Sequence, residues 1–402
     1  MSVLSGIGIL FCLSLSTLRA NDVVLPGTTV NPVIQTGVPH PTQDKPQSKL
    51  WYAHGHWWAW LPAVDGSTIW QRRDDGWKAV ESLNDSLKEL PRQADVWSEG
   101  NQVRAVLAGR NQLAVAALEY DAAQESYKFQ SAPVHWKFAP VEKSTLATET
   151  ATISRDGRGR FWVAWDRDAK IWARASLDET GTTWTEPIEI SEQAADTDDL
   201  CTLIAIRGQM GLLWSDQKND TVWFRGHRDE DSPETWQPIE IVDQGGRTVD
   251  DHLNAKVATD GTLYVTTKNS VDHIGQPQLV LRIRRTDGSW ENVPYANRAP
   301  QFEPSRPILL LGGVPERMFL LHTVYSARST GLASFIEVLS SPLSRLDVHR
   351  EFNRLLVAES PLNNVTGCKH PFPEEAPWIV LASDQKGNVY EAVLPDISNA
   401  LK

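Results

Sequence analysis

The sequence predicts an all-β chain, a seven-bladed β-propeller of four-stranded antiparallel blades. Three observations lead there. Between Glu149 and Pro187, short β-type runs at 151–154, 161–166 and 171–176 are separated by Arg-Asp-Gly and Asp-Arg-Asp turn signals, and a fourth run, 187–191, follows. The runs Phe161-Trp-Val-Ala-Trp165 and Ile171-Trp-Ala-Arg174 carry large apolar side chains on consecutive residues, so neither strand face reads as wet; a strand packed between two neighbouring sheets needs this pattern. Turn aromatics recur at Tyr127, Trp184, Trp236 and Trp290, intervals of 57, 52 and 54 residues, close to a blade repeat of about 40–50 residues with modest loops.

In chain order, residues 1–20 hold an apolar stretch from Val3 to Leu15 and a Leu-Arg-Ala cleavage signal ending at Ala20. They are expected to be a secretory signal peptide; because no Lys or Arg precedes the stretch, an uncleaved anchor is the other reading. Residues 21–48, rich in Pro, Thr, Gln and Gly, read as extended linker, with 28–35 able to pair as a strand. The propeller is expected over 49–396. Blade 1 reads 50–53, 56–61 and 67–72 with an Asp-Asp-Gly-Trp77 turn; blade 2 reads 94–97, 102–107, 113–120 and 127–130; the stretch described above is blade 3. Blade 4 reads 200–206, 211–214, 222–225 and 238–242, and blade 5 reads 253–258, 263–267, 279–284 and 290–294. Blade 6 reads 307–311, 318–323, 335–339 and a looser run near 348–352. Blade 7 has three runs of its own, 365–369, 378–382 and 389–394. A strand from 28–35 would complete it and remove the exposed edges of an open array.

The 402 residues carry a formal charge of −12, which disfavours nucleic acid and anionic membrane surfaces as partners. No segment after the leader is long and apolar enough to span a bilayer. Of three cysteines, Cys12 lies in the leader; Cys201 and Cys368 fall on innermost strands several blades apart, so two buried thiols are expected rather than a disulfide. Packing must then hold the fold, with seventeen tryptophans as its main source. A monomer is expected.

The turn Ser176-Leu-Asp-Glu-Thr-Gly-Thr-Thr-Trp184 resembles the Asp-box of the sialidase-like, BNR-repeat propellers, with one extra residue; Asp229…Trp236 and Asp287-Gly-Ser-Trp290 resemble shorter copies. In that superfamily such boxes are structural turns far from the active face, so the resemblance implies fold rather than activity. The early Arg-Ile-Pro of true sialidases is absent, and Ser305-Arg-Pro-Ile308 has another order and place. The run Val249-Asp-Asp-His252…Asp260-Gly261…Val265 resembles a signature of BNR-type secreted bacterial propellers, polysaccharide lyases among them. Some of those lyases carry a second histidine where this chain has Lys268-Asn269.

In a propeller, loops leading into the innermost strands share one face with those joining the second and third strands. The first set carries Arg92, Asp95, Glu149, Asp198, Asp199, Asp250, Asp251, His252, Glu303, Arg306, Asn363, Asn364, Lys369 and His370; the second adds Asp166, Asp168, Asp216, Lys268, His273 and Tyr325. One concave centre thus collects carboxylates, bases and cations, although such residues also merely solvate a channel. The resemblance implies a glycan ligand. For elimination on a uronate, His252 is the candidate base, its tautomer set by Asp250 or Asp251. Arg306, Lys256 or Lys369 would neutralise the sugar carboxylate. Asp95, Glu149, Asp199, Lys256, Lys268 and Tyr325 complete the candidate binding set. The other reading of His252 is a strand cap. If the chain is an enzyme, lyase-type or hydrolytic action on an acidic polysaccharide is expected over true sialidase activity; a non-catalytic propeller docking on a protein or cell-surface partner is the competing function. No cofactor or metal is expected: His54-Gly-His56 reads as a hairpin turn, and no phosphate-cradling glycine loop, Gly-x-Ser-x-Gly elbow or Cys/His pair is present.

Overall fold

Seven antiparallel sheets form a ring in the computed structural model, which describes residues 31–43, 46–141, 143, 146–193, 198–331 and 333–394. Blades 1 and 3 to 6 run in simple sequence order from the innermost strand outward. The innermost strands of blades 1 to 7 are Leu50–Ala53, Gln93–Glu99, Ala151–Arg155, Cys201–Ile206, Leu253–Val257, Phe302–Gly312 and Asn363–Thr366. Among the described residues the one α-helix, Glu81–Leu87, buries Leu83 and Leu87 between blades 1 and 2, and no helix is long and apolar enough to cross a membrane.

The consecutive apolar residues behave as the pattern requires. Every residue of Phe161–Arg167 is buried. Phe161, Val163 and Trp165 pack towards blade 2, while Trp162 and Ala164 pack towards blade 4. A comparable apolar layer separates each adjacent pair of blades, and one continuous layer joins blades 6, 7 and 1. At about 25 cal/mol per Å² of apolar surface removed from water, these layers hold the ring together.

The ring closes as expected, by a shorter strand than 28–35: Ile34–Gln35 pairs antiparallel with Val389 and Asn388 on the outer edge of blade 7. Residues 1–30, which include the expected leader and the start of the expected closing strand, lie outside the described residues. The segment that follows is more than linker. Thr42, Gln47, Ser48 and Lys49 are buried, and Gln47 Nε2 donates to Ala151 O on blade 3 at 2.8 Å. Two outer strands also differ from expectation. Blade 2 divides its fourth strand into Ser126–Phe129 and Val134–Lys137, both paired with the third strand. Blade 6 places its fourth strand at Asn353–Leu356, beyond 348–352. An outer strand packs on one side only, so its hydrophobic signal is weak. Cys201 and Cys368 are buried free thiols.

The Ser176–Trp184 turn is built around Asp178, which accepts from the backbone N–H groups of Thr180 at 2.9 Å and Thr183 at 2.7 Å and from both of their hydroxyls. Trp184 Nε1 donates to Gly181 O at 2.9 Å. Gly181 has a φ of 72°, in the left-handed region where a side chain is strained.

Candidate functional site

The leading ends of the innermost strands surround a pocket of about 340 Å³, lined by Gln43, Gln93, Ala108, Gly109, Arg110, Thr148, Glu149, Arg306 and Asn364. Two backbone irregularities shape it. The blade 6 register shifts between Ser305 and Ile308, and the blade 7 register between Asn363 and Thr366. Arg306 and Asn364 sit in these bulges with φ of 52° and 51°. A bulge re-aims its side chain, and a non-glycine residue in the left-handed region is sparsely populated backbone that the surrounding structure must impose. Asn364 is held by its backbone: its N–H donates to Thr323 Oγ1 at 3.1 Å and its carbonyl accepts from Thr42 Oγ1 at 2.6 Å. Arg306 donates to the Tyr325 hydroxyl and lies over the Tyr325 ring, 5.3 Å from its centroid. Tyr325 Oη donates in turn to Asn363 Oδ1 at 3.2 Å. Arg306 and Tyr325, both expected in the site, therefore form one unit.

Glu149 links the pocket to an acidic group on the next two blades. Its backbone N–H donates to Asp166 Oδ2 at 2.9 Å. Its carboxylate, with those of Asp198 and Asp251, has oxygens all within 4.8 Å of one another. Three carboxylates this close favour a shared proton or a hard cation, so Glu149, Asp198 and Asp251 are the residues able to hold one. Asp251 is also part of the histidine unit. His252 Nδ1 lies 2.8 Å from Asp250 Oδ1 and 2.5 Å from Asp251 Oδ1, and Asp250 Oδ2 accepts from Lys268 Nζ at 2.9 Å. Ionised carboxylates only accept, so the imidazole carries its proton on Nδ1 and Nε2 is its basic nitrogen. His252 is 3% exposed.

Other expected site residues are placed elsewhere. Asp95 is fully buried, and its oxygens accept from Ser48 N at 2.7 Å, Ile153 N at 2.8 Å and Lys369 Nζ at 2.6 Å. It ties blades 2, 3 and 7 to the segment that leads into blade 1. Asp199 is buried, with Oδ1 accepting from Gln217 N at 3.0 Å in the neighbouring turn. Lys369 and Lys256, expected on the face of His252 and Arg306, both line a separate cavity at the other ends of the innermost strands. The blade 7 innermost strand occupies Asn363–Thr366, and Lys369 follows it, at the end of the channel away from Arg306. His54, with φ 55°, and Gly55 form the expected hairpin turn, and His54 stacks on Tyr120 at 3.6 Å.

Gln43, Gln93, Arg110 and Thr148 line the pocket without a sequence signal that marks them. The loop positions of Gln93, Arg110 and Thr148 are legible, but polar uncharged residues and a lone arginine carry no motif. Gln43 comes from the segment that composition reads as linker, and no local signal places it there.

No protein-family model matches the chain, and no curated protein matches it in sequence. Among solved structures it is similar to the polysaccharide lyase Uly1, with a TM-score of 0.50 and 10% identity over 91% of this chain and 99% of that one. A protein of unknown function from Dyadobacter fermentans DSM 18053 is similar at a TM-score of 0.50 and 10% identity, over 92% of this chain and 99% of that one. An α-L-arabinanase of Penicillium chrysogenum complexed with arabinobiose gives 0.46 and 11% identity, over 80% of this chain and 100% of that one. At these identities the likeness is one of fold alone: the chain is a β-propeller.

Proposed function

We propose that this chain is a secreted propeller that binds and processes an acidic polysaccharide in the pocket between Glu149 and Arg306. The observation that carries the reading is the pair of bulges that turn Arg306 and Asn364 into one pocket opposite a carboxylate. A guanidinium there matches a uronate carboxylate, and neutralising that carboxylate acidifies the C5 proton beside it. In the elimination, His252 Nε2 accepts the C5 proton, the C4–O bond breaks, its electron pair leaves with the departing sugar oxygen, and a C4–C5 double bond forms. Asp250 and Asp251 hold the imidazole in the tautomer that this step needs and stabilise the imidazolium. The lyase among the proteins of similar fold agrees with this chemistry, and the apolar stretch from Val3 to Leu15, read as a leader, fits an extracellular substrate. True sialidase activity is not part of the reading.

A second reading, glycan binding without bond cleavage, is favoured by one observation: His252 is 3% exposed and does not line the pocket that holds Arg306. One experiment separates the two. Polyuronates are incubated with the protein while the ultraviolet absorbance of the unsaturated product is followed, for wild type, His252→Ala and Arg306→Ala. Elimination predicts product with wild type and a loss of about 10²–10⁴-fold in His252→Ala, the usual worth of a general base. Binding without product, lost in Arg306→Ala but kept in His252→Ala, would overturn the lyase reading in favour of simple recognition.

A further inference from the structure

At the far end of the channel, where the innermost strands finish, lies a second cavity of about 150 Å³. Lys256, Lys369, Trp97, Arg155 and His370 are among the residues that line it. The charges around it do not balance. Lys369 is paired with Asp95 at 2.6 Å and Arg155 with Glu99 at 2.7 Å. Lys256 is 5% exposed, and among the described residues its ammonium makes one long hydrogen bond, to Ser48 Oγ at 3.5 Å, and no ion pair. An ammonium has three protons to donate, and a buried cation without a counter-charge is costly. Burial, and then repulsion from Lys369, push this ammonium down to about 8.

We propose that this cavity is a binding site for a small oxyanion, a sulfate, a phosphate or the carboxylate of a small acid, with Lys256 as its principal ligand and Lys369 contributing field. Such a group supplies the negative charge and the acceptor oxygens that Lys256 lacks. The volume, equal to about five waters in the liquid, admits a group of that size and excludes a sugar chain. The site is independent of the pocket at the channel mouth, whose lining it does not share.

The test is calorimetric titration of the full-length protein with sulfate, phosphate and acetate, at ionic strength held constant with chloride. Saturable binding of one anion per chain is expected. Which of the three binds identifies the chemistry preferred. Lys256→Met should weaken binding by about tenfold or more, the worth of a hydrogen bond to a charged group, while Arg306→Ala leaves it unchanged. Heats no larger than those of chloride dilution, equal binding by Lys256→Met, or loss in Arg306→Ala would overturn the site. Should Lys256→Met fail to fold, wild-type crystals soaked in selenate decide the matter: an anomalous peak within hydrogen-bond distance of Lys256 Nζ is required, and a peak elsewhere or none refutes the proposal.

Discussion

Replacing Asp95 by Asn removes the charge that joins blades 2, 3 and 7 to the segment before blade 1. The carboxylate is fully buried, and its Oδ2 accepts from both Ile153 N and Lys369 Nζ. An amide can keep Oδ1 for Ser48 N, but its NH₂ then points two donor protons at two donors. Lys369, with its side chain 9% exposed, is left as a buried ammonium without its partner. Breaking a buried pair from one side costs about 3–5 kcal/mol. At an unfolding entropy of about 2.1 cal/mol/K per residue, a chain of 402 residues loses roughly 4–6 °C in Tm. Differential scanning calorimetry at neutral pH measures this. The double variant Asp95→Asn with Lys369→Met should be less destabilised than Asp95→Asn alone, because the stranded charge is gone. A Tm of Asp95→Asn equal to wild type, or a double variant worse than the single, would refute the argument that this pair locks the ring.

Trp162, with 0% of its surface exposed, fills the layer between blades 3 and 4 beside His227 and Trp236. Trp162→Ala should cost about 3–5 kcal/mol through the cavity it leaves, read as a lowered denaturant midpoint; a loss under about 1 kcal/mol would mean the layer collapses around the gap. Lys256 gives a pH signature in anion-free buffer. Its ammonium is held at about 8 against an ordinary 10.5, so between those values the unfolded chain binds the extra proton and stability rises with pH. The penalty is present below pH 8 and is relieved as pH approaches 10.5. Lys256→Met should therefore flatten the rise in Tm from pH 8 to 10, and an unchanged pH profile would show that Lys256 is not the group responsible.

How far the site is legible in the sequence follows from what each residue does. Asp250, Asp251 and His252 are consecutive, and their mutual contacts are local, so the chain order alone announces the histidine unit. Arg306 is legible as a cation in a loop position, but not as a residue with φ 52° inside a strand: a bulge depends on how blade 6 registers against its second strand. Lys369 and Asp95 read as site residues because both fall near the ends of apolar runs. Their 2.6 Å contact spans 274 positions, and nothing local distinguishes a buried ion pair from two ligands of a substrate.

The sequence by itself determined the propeller and its blade count, since two-sided apolar strands can be satisfied only between neighbouring sheets, and the turn signals divide them into sets of four. The tertiary structure alone decided which polar residues share a cavity. Closing the ring sends Glu149 and Arg306 to one end of the channel and Lys256 and Lys369 to the other. Hydrophobic periodicity records which side of a strand is dry; it carries no record of where, along a channel lined by seven blades, a side chain comes to rest.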